Sequence, residues 1–277
     1  MGYLAYHFTV TPADPGSEIL VAVLADMGFE SFDYNEKGFS AYIPDGLNHQ
    51  IALHDLRFDD FEYTYTIEKI ETVNWNAEWE KNFEPVVLGD LLNIRAPFHE
   101  PNKTVQQEIV IMPKMSFGTG HHQTTRLMCA QMFITDFSNK RVLDMGCGTA
   151  VLAILAKKLG ASEVVGIDID EWSVENSLEN CRDNGFPDIV IEKGDVSALA
   201  TKQPFDIILA NINKNILKAD MSVYTQKLRS TGFLFLSGFF TTDVDELKQH
   251  AERSNLEFVL TRHENEWAMM VLRKSDH

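Results

Sequence analysis

The residues of this chain best placed to do chemistry lie between positions 141 and 170, where Asp144-Met145-Gly146-Cys147-Gly148 is followed by a second acid at Asp168. Val142 and Leu143 read as a buried strand, Gly146 and Gly148 as a tight turn, 151–159 as an apolar-faced helix and 164–169 as a second strand. That order is one βαβ unit with a glycine-rich crossing. Residues without a Cβ let backbone N–H groups approach a ligand, and the first turn of the helix leaves further donors free. Asp168 lies 22 residues beyond Gly146, where a carboxylate can accept both hydroxyls of a ribose. The unit reads as an adenosine site.

Two residues bear on which adenosine compound fits. A dinucleotide fingerprint places a third glycine three positions after the second, and Val151 stands there instead. Asp144 would repel a pyrophosphate, whereas it suits S-adenosylmethionine, whose methionine end carries an ammonium and a sulfonium. S-adenosylmethionine is therefore preferred to a nicotinamide or flavin dinucleotide and to a ligand-free structural unit.

Two further stretches could complete such a site. In residues 117–125, Phe-Gly-Thr-Gly-His-His-Gln-Thr-Thr, flexible glycines precede a helix expected to begin near His122, and this arrangement can wrap the methionine carboxylate. His121 and His122 lack a carboxylate or third histidine at ligand spacing, so they read as capping and loop residues and no metal is expected. Asn211 follows the apolar run 205–210, at the carboxyl end of the fourth strand of the sheet, the edge where open α/β sheets collect ligands. Its amide oxygen could accept an amine N–H and aim the nitrogen lone pair at a methyl group. A simple turn asparagine is the alternative, weakened by Asn213 and Asn215 nearby, and the strand-end position favours function. Asp195 reads equally as an exposed turn carboxylate or an adenine contact.

The elements that must position these residues fall in two regions. Alternation over 3–10, a helix over 18–27 capped by Ser17, a hairpin across 35–38, a short helix near 48–56 and a strand over 62–71 give the order βαββαβ, a small ferredoxin-like domain of residues 1–72. Residues 73–101 read as a linker, with Trp75, Trp79 and Phe83 at helical spacing, and 102–277 as the second domain. There strands and helices alternate from 141 onward, and apolar runs imply a doubly wound, mostly parallel sheet. The last two strands, about 257–262 and 267–272, have no room for a helix between them and must be antiparallel neighbours. A reversed terminal hairpin on a parallel sheet resembles the class I methyltransferase fold.

Composition narrows the partners. The 277 residues are 44% hydrophobic, ample for a buried core, and no apolar run approaches the ~20 residues of a membrane span. The start lacks a signal peptide's basic and apolar blocks, and three widely spaced cysteines fit a reducing compartment, so a cytoplasmic protein is expected. The net charge of −17 opposes docking on nucleic acid phosphates and favours basic partners. Residues 1–72 hold 13 acidic against 3 basic side chains, so ten of the seventeen excess negatives lie there.

Residues 117–125, Asp144 to Gly148, Gly166-Ile167-Asp168-Ile169-Asp170, Ala210-Asn211-Ile212 and Glu266-Trp267, with Trp75 and Trp79 upstream, resemble the ribosomal-protein methyltransferases that modify large-subunit protein eleven. The resemblance spans nearly the whole chain. It implies Thr125, Gly146, Asp168 and Asn211 as S-adenosylmethionine contacts, with Gly148 beside them in the glycine turn. It further implies an N-terminal domain that grips the basic ribosomal protein. The chain departs from broader amine methylases, which carry Asn-Pro-Pro-Tyr after the fourth strand, by having Asn211-Ile212-Asn213-Lys214 with no aromatic clamp. The expectation is a monomeric protein N-methyltransferase, acting on lysine side chains and an α-amine, with Asn211 positioning the amine. An RNA methyltransferase and a non-catalytic ribosome-associated adaptor are the alternatives.

Overall fold

A computed structural model describes residues 2–50, 53, 56–70, 80, 82–114 and 118–276, without the side chains of 48–50. Trp75, Trp79 and Phe117 thus lie outside the described residues. The chain divides into two compact units, Met1–Phe83 and Glu84–His277.

In the first unit β1 (Tyr3–Thr11) alternates as its sequence requires, burying Leu4, Tyr6, Phe8 and Val10. It lies between β3 (Gly38–Pro44) and β4 (Glu62–Ile70), and β2 (Ser31–Asn35) pairs with β3, all antiparallel, in the order β2-β3-β1-β4. Helix α1 (Ala13–Asp26) buries Leu20 and Leu24 against Phe8, Phe39 and Ile43. It is broken at Asp14, so its regular turns begin with Pro15, whose fixed φ and missing N–H suit a first helical position. Ser17, expected as its cap, therefore lies inside the helix and is buried. Of the short helix expected near 48–56, the described part is a 3-10 turn, Asp45–Gln50.

The second unit starts earlier than the sequence suggests. Residues from Glu84 onward, expected within a linker, contribute β5 (Val86–Leu88) and β6 (Leu92–Arg95), which with β7 (Gln107–Val110) form a three-stranded sheet. Helix α2 (Gln123–Phe133) leads into the main sheet, built from β8 (Arg141–Met145), β9 (Glu163–Asp168), β10 (Val190–Lys193), β11 (Phe205–Asn211), β12 (Leu228–Phe240), β13 (Leu256–Glu264) and β14 (Trp267–Lys274). Their order is β10-β9-β8-β11-β12-β14-β13, parallel except for β14, which runs antiparallel to both neighbours. The apolar runs are continuous because both faces are covered. Along β11, Ile207 and Leu209 enter the core beneath α2, α3 (Val151–Lys158) and α4 (Glu171–Asp183), while Ile208 and Ala210 enter the one beneath α5 (Lys214–Lys227) and α6 (Val244–Arg253). Cys129, Cys147 and Cys181 are buried and unpaired. No helix among the described residues is long and apolar enough to cross a membrane.

Candidate functional site

The glycine turn between β8 and α3 uses the left-handed backbone region at Gly146 (φ +71°), Gly148 (φ +54°) and Ala150 (φ +63°). Glycine is needed at 146 for space as well as angle, because a Cβ there would sit 2.3 Å from Cγ2 of Ile212. The N–H groups of Gly146 and Cys147 donate to the Ile167 carbonyl at 2.8 and 3.1 Å, which pins the turn to β9. The Gly148 N–H donates to Oδ2 of Asp168 at 2.9 Å.

Asp168 ends β9 at the carboxyl edge of the sheet, with Oδ1 accepting the Asp170 N–H at 3.0 Å. Each carboxylate oxygen has a second lone pair, so the side chain can brace the loop and still accept a diol. Asp144 behaves differently from its sequence reading as an acid beside the ligand's cations. Its side chain is buried beneath the turn, and Oδ2 accepts the N–H of Ala153 at 3.0 Å, capping a helix whose own N-cap residue supplies no side-chain bond. Burial pushes its carboxyl up to about 7, opposed by the Ala153 N–H and reinforced by the negative charge of Asp168. It can act on a cation through space, without contact.

On the far side of the turn, Gly118 (φ +99°) and Gly120 (φ +93°) bend the chain before α2. The Thr149 hydroxyl donates to the Gly118 carbonyl at 2.6 Å, tying this loop to the glycine turn. His122 is the N-cap of α2, its Nδ1 accepting the Thr124 N–H at 3.3 Å, and His121 bonds through Nε2 to the Glu84 carbonyl at 2.9 Å. Both histidines have the capping and loop contacts expected of them. Among the described residues, no group of histidine, cysteine, aspartate and glutamate side chains could hold a metal ion.

Thr125, in the first turn of α2, is buried, and its Oγ1 accepts Nδ2 of Asn211 at 3.3 Å. Two residues 86 positions apart thus meet at the carboxyl end of β11. The amide nitrogen is engaged, so the carbonyl oxygen is the end of Asn211 left for an incoming N–H donor. Ile212 lies against Gly146, and Gly238 has no Cβ to collide with the Ile212 carbonyl, so the loop after Asn211 is wedged between two glycines. Asn213 is the N-cap of α5, accepting the Ile216 N–H at 3.2 Å. Asp195 likewise caps a short 3-10 turn, as an exposed turn residue.

Gly146 and Gly148 bond to Ile167 and Asp168 at the end of β9, Asn211 bonds to Thr125, and Ile212 lies between the two groups against Gly146. Sequence reasoning missed Ile212, Thr149 and two residues of α4, Ser177 and Asn180, which bond to carbonyls of the turn. Their signal was faint, since Ser177 and Asn180 lie on one helical face together with the apolar Cys181.

A cradle that Cβ atoms would fill, an acid at the end of the next strand and an amide at the neighbouring strand end fit a nucleoside carrying a reactive group over β11. With the reversed β14 between β12 and β13, this arrangement defines a class I S-adenosylmethionine-dependent methyltransferase. A family model described as Ribosomal protein L11 methyltransferase (PrmA) matches residues 30–275, and the chain belongs to that family. Proteins of the same name from Bacteroides fragilis and Porphyromonas gingivalis are 42% and 44% identical to it, covering 97% and 98% of this chain and 98% and 97% of their own. The crystal structure of a ribosomal protein L11 methylase from Lactobacillus delbrueckii subsp. bulgaricus is similar with a TM-score of 0.64 and 28% identity, over 69% of this chain and all of that one.

Proposed function

We propose that the protein transfers methyl groups from S-adenosylmethionine to lysine side-chain amines, and to an α-amine, of large-subunit ribosomal protein L11. The observation that carries the chemistry is the Asn211–Thr125 hydrogen bond at the strand end beside the glycine turn. When bound, S-adenosylmethionine supplies a methyl on a sulfonium, open to in-line attack by an amine lone pair. Gly146 and Gly148 give the backbone approach, Asp168 takes the ribose hydroxyls and Thr125 lines the methionine side. Asn211 accepts one N–H of the substrate amine and so directs its lone pair. No covalent enzyme intermediate is needed, and alignment supplies most of the rate. A lysine has an ordinary pKa of ~10.4, and exclusion of water at the strand end favours the neutral form that attacks.

Residues 1–72 serve as a ferredoxin-like substrate-recognition domain, and their excess of ten negative charges attracts a basic ribosomal protein. The same charge disfavours direct binding to nucleic acid, and the enzyme acts as a cytoplasmic monomer. The test is to incubate the pure protein with radiolabelled S-adenosylmethionine and unmodified ribosomal proteins, then locate the label. Label on the amines of one basic large-subunit protein is expected. Label in RNA, or none despite donor binding, would overturn the reading.

A further inference from the structure

Helix α4 has its polarity turned inside out. Trp172 is 75% and Leu178 39% exposed, while Asn176, Ser177 and Asn180 are at most 2% exposed. A surface helix ordinarily buries an apolar stripe, so this polar face must find hydrogen bonds inside. Ser177 and Asn180 find them in the backbone of the candidate donor site, whereas Asn176 only accepts from Asn180 through Oδ1 and its Nδ2 has no partner among the described residues. Ser177 Oγ donates to the Gly148 carbonyl at 2.6 Å, and Asn180 Nδ2 donates to the Thr149 carbonyl at 3.1 Å. Asn180 Oδ1 accepts the Met112 N–H at 3.0 Å, on the strand-end segment leading to the Gly118 loop. Thr149, held by Asn180, passes the connection on through its hydroxyl to the Gly118 carbonyl at 2.6 Å.

In a planar trans peptide the C=O and the following N–H point in opposite directions. Drawing the Gly148 carbonyl onto α4 turns the Thr149 N–H away from the helix. Taking both carbonyls out of the cradle also removes two partial negative charges from the side where a bound methionine carboxylate would lie. We propose that Ser177 and Asn180 are positioning residues for S-adenosylmethionine, fixing the glycine turn in its donor-binding geometry and coupling it to the Gly118 loop. This rests on the placement of the donor at that turn.

The test uses the full chain and reads donor affinity by calorimetry alongside kcat and KM. Ser177→Ala should raise the Kd and KM for S-adenosylmethionine about 5- to 30-fold, the range for an orphaned backbone acceptor, with kcat at saturating donor within twofold. Ser177→Thr, which restores the hydroxyl, should return the Kd to within about threefold of the original. Asn184→Ala is the structural control: Asn184 bonds to both backbone groups of Val110, at 2.9 and 2.6 Å, and to the Asn180 backbone carbonyl at 2.8 Å, with no hydrogen bond to either loop among the described residues. It should lower Tm and leave the donor Kd within twofold. An unchanged Kd in Ser177→Ala, or an equal loss in Asn184→Ala, would overturn the proposal. Should Ser177→Ala fail to fold, Ser177→Cys, with its weaker donor, is read by the same criteria. Asp168→Ala separates the two levels of inference. If it too leaves the Kd unchanged, the site itself is misplaced; if it weakens binding while Ser177→Ala does not, only the role of α4 falls.

Discussion

Asp144 gives the sharpest quantitative test of how the glycine turn is built. It is a fully buried carboxyl with one hydrogen bond, to the Ala153 N–H, and burial raises it from 3.8 to about 7. A folded-state pKa above the unfolded value means that the native protein holds this proton more tightly than the unfolded chain. The associated stability is complete below pH 3.8 and is lost as the pH rises through 7. At roughly 1.4 kcal/mol per tenfold, the total is about 4 kcal/mol, of which roughly 2.7 kcal/mol disappears between pH 5 and pH 9. Asp144→Asn keeps a carbonyl oxygen for the Ala153 N–H but cannot ionise. Urea unfolding of both proteins from pH 5 to pH 9 should show the original chain losing stability relative to the variant by that amount. Other titrating groups are common to both and cancel; Cys129 and Cys181, pushed up to about 12 chiefly by burial, stay protonated throughout. Parallel stability profiles would refute the assignment of a buried, high-pKa carboxyl beneath the turn. A cationic donor above the loop favours the ionised form, so S-adenosylmethionine should stabilise the original chain more at pH 8 than at pH 6, a trend the variant lacks.

Three further outcomes are expected. Gly146→Ala combines a left-handed backbone with a Cβ 2.3 Å from Ile212 Cγ2, and should cost about 2–4 kcal/mol in urea unfolding as well as weakening donor binding; a variant as stable as the original would show that Ile212 yields freely. Asn211→Ala should lower kcat about a hundredfold, more than it weakens donor binding, because it removes the group that aligns the amine; single-turnover kinetics at saturating donor would read this, and an unchanged rate would take Asn211 out of the chemistry. If the acidic residues of 1–72 draw in a basic protein substrate, its kcat/KM should fall severalfold between low salt and about 0.15 M, where the Debye length is ~8 Å, while that of a short neutral lysine peptide changes little. Equal salt dependence for the two would separate that charge from substrate capture.

The sheet was legible from sequence because its strands are covered on both faces, which writes them as uninterrupted apolar runs such as 205–210 and leaves little ambiguity about period. The terminal hairpin was legible for a simpler reason, since four residues cannot hold a crossover helix. What failed depended on contacts distant in sequence. Residues 84–90 looked like plain linker because β5 is only three residues long and gains its partner from β6. Ser17 looked like a cap because serine before an apolar stripe usually is one, but Pro15 opens the regular helix two residues earlier. Asp144 looked like a ligand contact because charge and spacing do not reveal depth. The polar face of α4 reads as a solvent face until the carbonyls of Gly148 and Thr149 are seen against it.

The same distinction bears on how such a site works. Transfer of a methyl from a sulfonium to an amine needs no acid, metal or nucleophilic side chain on the enzyme, so no cluster of reactive residues was available to be found by motif. What it needs is a donor, an acceptor lone pair and the absence of water, all in register. The polar side chains gathered around the turn accordingly bond mostly to backbone: Asp168 to the Gly148 and Asp170 N–H groups, Asp144 to the Ala153 N–H, Ser177 and Asn180 to two carbonyls, Thr149 to a third. Asn211 and Thr125 instead join side chain to side chain, at the strand end where the proposed reaction brings the amine. If positioning is the chemistry here, substitutions should sort by element: those beneath the turn should move donor affinity, and those at the end of β11 should move kcat.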